Sequence, residues 1–280
     1  MSAPACLICG GQEAEQVLAF SEPDVYEKAV GLGTAGYFRR WVRCRTCGFH
    51  ASQYSRPADL LDRLYQTTYR DTNSCWRTAD TRGTFKKVVA LPVGQSETKS
   101  RIAWIKGVIA EQAQSGLLGW EEARPNRLLD IGGATGVFAY EFQDTDWAST
   151  IIDPADSGRF VTEYGVTYEC QAYRPGLFRQ PFHLISLVFT LEHLRDPLGL
   201  LTAIRQDLVQ GGLVYVEVPD AAAFRLKSPE DDIFNSTHLW MFDPLSLVTL
   251  MGKAGLQISA LRRMQTRRGH YALVVLGSTS

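Results

Sequence analysis

The alternation of apolar and polar positions divides the chain into three stretches. From residue 127 onward, short apolar runs recur: "RLLDI", "ASTIID", "GVTYEC", "HLISLVF" and "GLVYVEV". Helix-length segments separate most of them, notably "DPLGLLTAIRQDLVQ", which ends at Gly211. Strand and helix in alternation predict a mainly parallel sheet covered on both faces. Another helical segment, "DPLSLVTLMGKAG", leads into "LQISALRRMQ" and "HYALVVLGS". Only a short basic turn parts these last two runs, so they are expected to pair antiparallel at one edge.

Residues 57–126 carry a helical pattern. "PADLLDRLYQTTY" opens with proline at a first turn and places Leu60, Leu61, Leu64 and Tyr65 on one side. "SETKSRIAWIKGVIAEQ" starts with Ser96 as a cap and spaces Ile102, Ile105, Val108 and Ile109 along one face. "EEARPN" reads as a linker. The aromatic-rich "YQTTYRDTNSCW" is either part of a lid, through Tyr65, Tyr69 and Trp76, or ordinary core. Residues 1–56 hold short strand-like runs such as "YFRRWVRC", with glycines, aromatics and four cysteines. The expected organisation is a small β domain at 1–56, a helical connector or lid at 57–126, and an α/β domain at 127–280.

Composition narrows the function classes. The apolar fraction of 45% suits a globular protein with a sizeable core. A net charge of −1 supplies no global positive field for nucleic acid or an anionic membrane. Arg262, Arg263, Arg267 and Arg268 form a local basic group, read as a solvated strand-and-turn edge. No run approaches the length of a membrane span, and "MSAPACLICG" lacks a basic start followed by an apolar stretch, so the cytosol is the expected compartment.

In that compartment cysteine pairs point to metal before disulfides. "CLICGG" supplies Cys6 and Cys9, and "CRTCGF" supplies Cys44 and Cys47. Two residues between thiolates let one tight knuckle offer both sulfurs to a tetrahedral ion, and the following glycine tolerates a left-handed turn. Four sulfurs close the shell, so the expected ion is structural Zn²⁺. Cys75 and Cys170 stand outside the pattern and read as ordinary thiols.

"LLDIGGATGVF" follows the first strand of the α/β region. In a parallel sheet the turn beyond a strand's carboxyl end is where backbone approaches a ligand. Asp153, ending the next strand in "IIDP", can accept the hydroxyls of an adenosine ribose. The dinucleotide fingerprint requires glycine at the places of Gly132, Ala134 and Val137, so it matches once in three. The turn resembles instead the first motif of class I S-adenosylmethionine (SAM)-dependent methyltransferases. Asp130, Gly132 and Gly136 match that motif, Gly133 lies within it, and Ala134 replaces the usual middle glycine. "HLISLVFTLEHLRDPLGLL", with His183 where aspartate is common, is similar to the family's fourth strand and the segment after it; "GGLVYVEVP" is similar to its fifth strand. "THLWMFDPLSLVTLMGKAGLQI" is similar to a later segment. The resemblance implies a three-layer Rossmann-like methyltransferase sandwich, an α/β fold with a seven-stranded mainly parallel sheet, beside the small N-terminal zinc-binding β domain. It implies SAM as cofactor, held by Asp130, Gly132, Gly133, Ala134, Gly136, Asp153, Leu191 and Glu192.

A zinc knuckle before such a core resembles the sugar C-methyltransferases and a wider set of small-molecule methyltransferases. In the sugar enzymes a histidine in a "Y-x-E-H-x-x-Y-F"-like segment acts as base. His238 in "FNSTHLWMF" matches it, while Asn235 and Thr237 replace the accompanying tyrosine and glutamate. The sugar family also carries a further C-terminal domain, whereas this sequence stops at residue 280. His238 and His193 are therefore the candidate bases, with core packing as the alternative for His238 and cofactor flanking for His193. Some quinone-pathway O-methyltransferases hold a metal with "E-x-x-E-H"; Phe189 fills the first of those positions, which argues against a catalytic metal built that way. The expected partner is a small-molecule acceptor, with no membrane. Two alternatives stay open: a zinc-module RNA methyltransferase, opposed by the charge, and a SAM-binding protein without turnover.

Overall fold

The computed structural model describes residues 5–57, 59–67, 80–120 and 125–279. Tyr69, Cys75 and Trp76 lie outside these residues. Near the start, β1 (Ala14–Phe20), β2 (Arg39–Cys44) and β3 (His50–Tyr54) form an antiparallel meander. The short helix α1 (Val25–Ala29) follows β1; Asp24 caps it by accepting from the amides of Tyr26 and Glu27. Next come α2 (Leu60–Thr67), α3 (Thr81–Val89) and α4 (Glu97–Gln114). As the sequence predicts, Ser96 caps α4, its hydroxyl accepting from the Lys99 amide.

The larger sheet contains β4 (Asn126–Ile131), β5 (Trp147–Asp153), β6 (Thr167–Cys170), β7 (Phe182–Val188) and β8 (Leu208–Pro219). A two-residue strand, β9 (Trp240–Met241), then leaves this unit and pairs antiparallel with β3 of the small sheet. The last strands are β10 (Gln257–Gln265) and β11 (Tyr271–Ser278), giving the spatial order β10-β11-β8-β7-β4-β5-β6. The pairs from β8 through β6 are parallel, and β11 runs antiparallel between β8 and β10. This is a seven-stranded, mainly parallel Rossmann-like α/β sheet. Strand order reverses at β4, whose neighbours are β5 and β7, and ligands bind at such switch points.

Alternating side chains of these strands face opposite layers. Leu128, Leu184, Leu213 and Tyr215 pack with Ile102 and Ile105 of α4 and with Phe138 and Phe142 of α5 (Val137–Phe142). Leu129, Ile185, Val214 and Val216 pack instead with Leu201 of α6 (Pro197–Ala203) and with Leu247, Leu250 and Met251 of α8 (Pro244–Lys253). The remaining helix, α7 (Ala223–Leu226), buries Ala223 near Trp41 of β2.

Helix α6 is shorter than its sequence pattern predicts. The helix expected to run to Gly211 ends at Ala203, gives way to a 3₁₀ turn at Ile204–Asp207, and residues 208–210 already belong to β8. Leu208 pairs with Phe182, and Gly211 takes a left-handed φ of 68° where the register shifts. A bulge of this kind lengthens a strand beyond what its apolar run suggests.

Candidate active site

The turn between β4 and α5 is built by close packing. Gly132 and Gly136 both have φ of 75°. A β-carbon on Gly136 would lie 2.3 Å from Val161, and one on Gly133 would lie 2.7 Å from Asp130 and 2.8 Å from Ile151. These two glycines let the turn sit down on the protein itself. A β-carbon on Gly132 would lie 2.8 Å from the Thr190 hydroxyl, and Gly132 also lines the cavity.

Two non-glycine residues take left-handed backbone among the described residues, Ala134 with φ of 50° and Phe189 with φ of 51°. Both line the same cavity, one beyond β4 and the other beyond β7. Such backbone costs of order 1–3 kcal/mol and concentrates where ligands are held. No sequence signal marks Phe189. Thr190, whose hydroxyl donates to carbonyls of Ile131 and Val188, is a second lining residue that sequence reasoning missed.

Two carboxylates organise the strand ends. Asp153 is buried; one oxygen accepts from the Ala134 amide at 3.0 Å and the other from the Ala155 amide at 2.8 Å. It thereby ties the glycine turn to the end of β5 while lining the cavity. Asp130 is 1% exposed, accepts from the Ser186 hydroxyl at 2.6 Å, and has a second oxygen without a hydrogen bond. Burial, with a smaller contribution from Asp153, pushes its carboxyl up to about 7 against the pull of Ser186. Asp130, Gly133, Gly136 and the fully buried Leu191 underlie the cavity, whereas Gly132, Ala134, Asp153 and Glu192 line it.

Beyond β7 a 3₁₀ turn, Leu191–His193, meets the loop at residues 231–238. The Leu239 amide donates to the Glu192 carbonyl, and His193 Nδ1 lies 3.0 Å from the Thr237 carbonyl. His238 Nδ1 lies 2.7 Å from the Ile233 carbonyl. A carbonyl oxygen only accepts, so both Nδ1 atoms donate, and in the neutral ring Nε2 is the nitrogen with the lone pair. The two rings are 4.9 Å apart, and Tyr65 packs edge-on against His193. Glu192 is wholly buried beside them, and burial pushes its carboxyl well above the ordinary carboxylate range. His183 is elsewhere: it accepts the Arg127 amide on Nδ1 at the opposite end of β7.

The small sheet braces that loop. Asp24 accepts from both the amide and the hydroxyl of Ser236, and Arg39 donates to the Phe234 carbonyl at 2.6 Å. Neither residue carries a sequence signal for this. Sequence reasoning did bring together Cys6, Cys9, Cys44 and Cys47, whose sulfurs all lie within 4.8 Å of one another. Cys6 to Cys47 and Cys9 to Cys44 are each 3.6 Å. A tetrahedral ion with bonds of about 2.3 Å separates its sulfurs by about 3.8 Å, so the donor set fits zinc.

The glycine turn, Asp153, Glu192, His193 and His238 share one cavity of about 810 Å³. Arg268 of the basic group also lines it, while Arg262 lies over the Trp104 ring and Arg263 pairs with Asp220. Among the described residues no helix is long and apolar enough to cross a membrane. No curated protein sequence matches the chain. Its fold is similar to that of the 1,6-didemethyltoxoflavin-N1-methyltransferase of Burkholderia thailandensis, solved with 1,6-didemethyltoxoflavin and S-adenosylhomocysteine (TM-score 0.53, 14% identity, 84% of this chain and 97% of that one). It is similar also to an S-adenosylmethionine-dependent methyltransferase of Clostridium acetobutylicum (TM-score 0.51, 10% identity, 74% and 100%). Residues 108–261, more than half of the chain, match the profile of a family described as a methyltransferase domain. The chain therefore belongs to the methyltransferase-domain family.

Proposed function

We propose that this enzyme transfers the methyl group of SAM to a small-molecule acceptor, with the acceptor seated beside His193 and His238. The observation that carries this reading is the single cavity running from the glycine turn to the two histidines. Its volume is of the size that holds small ligands. The Burkholderia thailandensis neighbour, which holds a small acceptor together with S-adenosylhomocysteine, supports the same arrangement.

In this reading Gly132 and Ala134 flank the cofactor, and Asp153, which lines the cavity at the end of β5, accepts its ribose hydroxyls. Asp130, Gly133, Gly136 and Leu191 shape the turn from beneath, and Glu192 borders the cofactor from the β7 side. SAM supplies an electrophilic methyl on a positively charged sulfur. When bound, it would offer that methyl to an oxygen or carbon of the acceptor, with S-adenosylhomocysteine as the by-product. The proton lost by the acceptor passes to His238 Nε2, whose lone pair the Nδ1 contact with Ile233 secures. His193 borders the same space. The four cysteines hold a structural zinc, and the small sheet so stabilised braces the loop that carries His238.

Calorimetric titration with SAM tests the cofactor half. Asp153→Ala should weaken binding at least tenfold, because charge-assisted bonds are worth about 1.5–3 kcal/mol each; unchanged affinity would remove the ribose role. For the acceptor half, candidate acceptors are screened by SAM consumption. His238→Ala should then lower turnover about 10²–10⁴-fold with SAM affinity intact.

A further inference from the structure

Glu192, His193 and His238 each place one ligand atom within 4.8 Å of the other two. The Glu192 side chain is completely buried, and neither of its oxygens receives a hydrogen bond from another residue. His193 Nε2 lies 3.9 Å from one carboxylate oxygen. An ionised carboxylate held out of water costs several kcal/mol unless a cation or a set of donors compensates it. Both imidazoles, meanwhile, are locked by backbone carbonyls in the tautomer that leaves Nε2 able to ligate. A metal-binding histidine is typically oriented in this way, by a bond from its other nitrogen to a carbonyl.

We infer that Glu192, His193 and His238 form a binding site for a divalent transition-metal ion at the acceptor end of the cavity. Two imidazoles and one carboxylate suit zinc, iron, cobalt or manganese in preference to calcium or magnesium. Three protein ligands leave coordination positions open toward the cavity. Phe189 argues only against a ligand set drawn from one short motif; here the third ligand comes from the separate loop at 231–238. Such a site lies outside the proposed reaction. Ion binding and proton acceptance by His238 are mutually exclusive, since both use the same lone pair.

The test is a Co²⁺ titration of the full chain with its cysteine zinc in place, without SAM or acceptor. Visible ligand-field absorption should rise to one equivalent without a thiolate charge-transfer band, and elemental analysis should show the zinc retained. His238→Ala and Glu192→Gln should each weaken Co²⁺ binding tenfold or more. SAM affinity of the His238→Ala protein, unchanged within about threefold, shows that it is folded and separates this result from any failure of the cofactor reading. Absence of a stoichiometric Co²⁺ site in the native chain would overturn the inference, as would equal binding by the folded His238→Ala protein.

Discussion

Asp130 shows at the residue scale how burial and function pull against each other. Its carboxyl sits under the glycine turn, with only Ser186 donating to it. Folded, it holds a proton up to about 7, compared with 3.8 ordinarily. Between these values the folded state binds more protons than the unfolded one, so stability falls as pH rises through the window and is level above it. Asp130→Asn keeps an acceptor for Ser186 and cannot ionise. Urea unfolding at pH 5 and pH 8 should show the native protein losing about 2–3 kcal/mol more than the Asp130→Asn variant. Equal losses would mean that Asp130 ionises without penalty. Ala134 is the neighbouring compromise: it accepts left-handed backbone to place its amide on Asp153.

At the scale of elements, the loop at 231–238 is positioned by parts distant in sequence. Asp24 both caps α1 and holds Ser236, while Arg39 in β2 grips the Phe234 carbonyl. Asp24→Ala should cost about 1–3 kcal/mol of stability through the lost cap and loop contacts. If the brace positions His238, turnover should fall while SAM affinity stays unchanged, and Asp24→Asn should recover part of the rate. A loss of stability with turnover intact would leave Asp24 as a helix cap alone. The same scale explains the overextended helix before Gly211. Its apolar residues satisfy a helical period, but Leu208 pairs with Phe182, and sheet pairing outweighs a short helix's weak preference.

Across the whole molecule, the small sheet and the large one are joined by β9, which leaves the α/β unit to pair with β3. Folding of the cysteine region and of the α/β unit are therefore linked. Zinc bound by four thiolates contributes free energy of order 10–16 kcal/mol in small zinc domains. Elemental analysis should find one zinc per chain at the cysteines, lost in Cys44→Ser together with a marked drop in melting temperature. A well-folded chain devoid of metal would refute the zinc reading.

How much of this was legible beforehand depends on the range of the interaction. Strand runs, the Ser96 cap, the paired cysteines and the glycine turn were readable because each is specified by neighbours a few residues apart. Resemblance in the order of those segments pointed to the methyltransferase fold, which the sheet order bears out. Phe189, Thr190, the Asp24 and Arg39 braces, and the meeting of Glu192 with His238 could not be read there. Their roles arise from contacts between segments whose approach depends on sheet order and on β9, and local composition carries no record of which distant side chains will meet. The chain's pattern thus determined its layers and its likeness; tertiary packing alone decided which carboxylate was stranded beside which imidazoles.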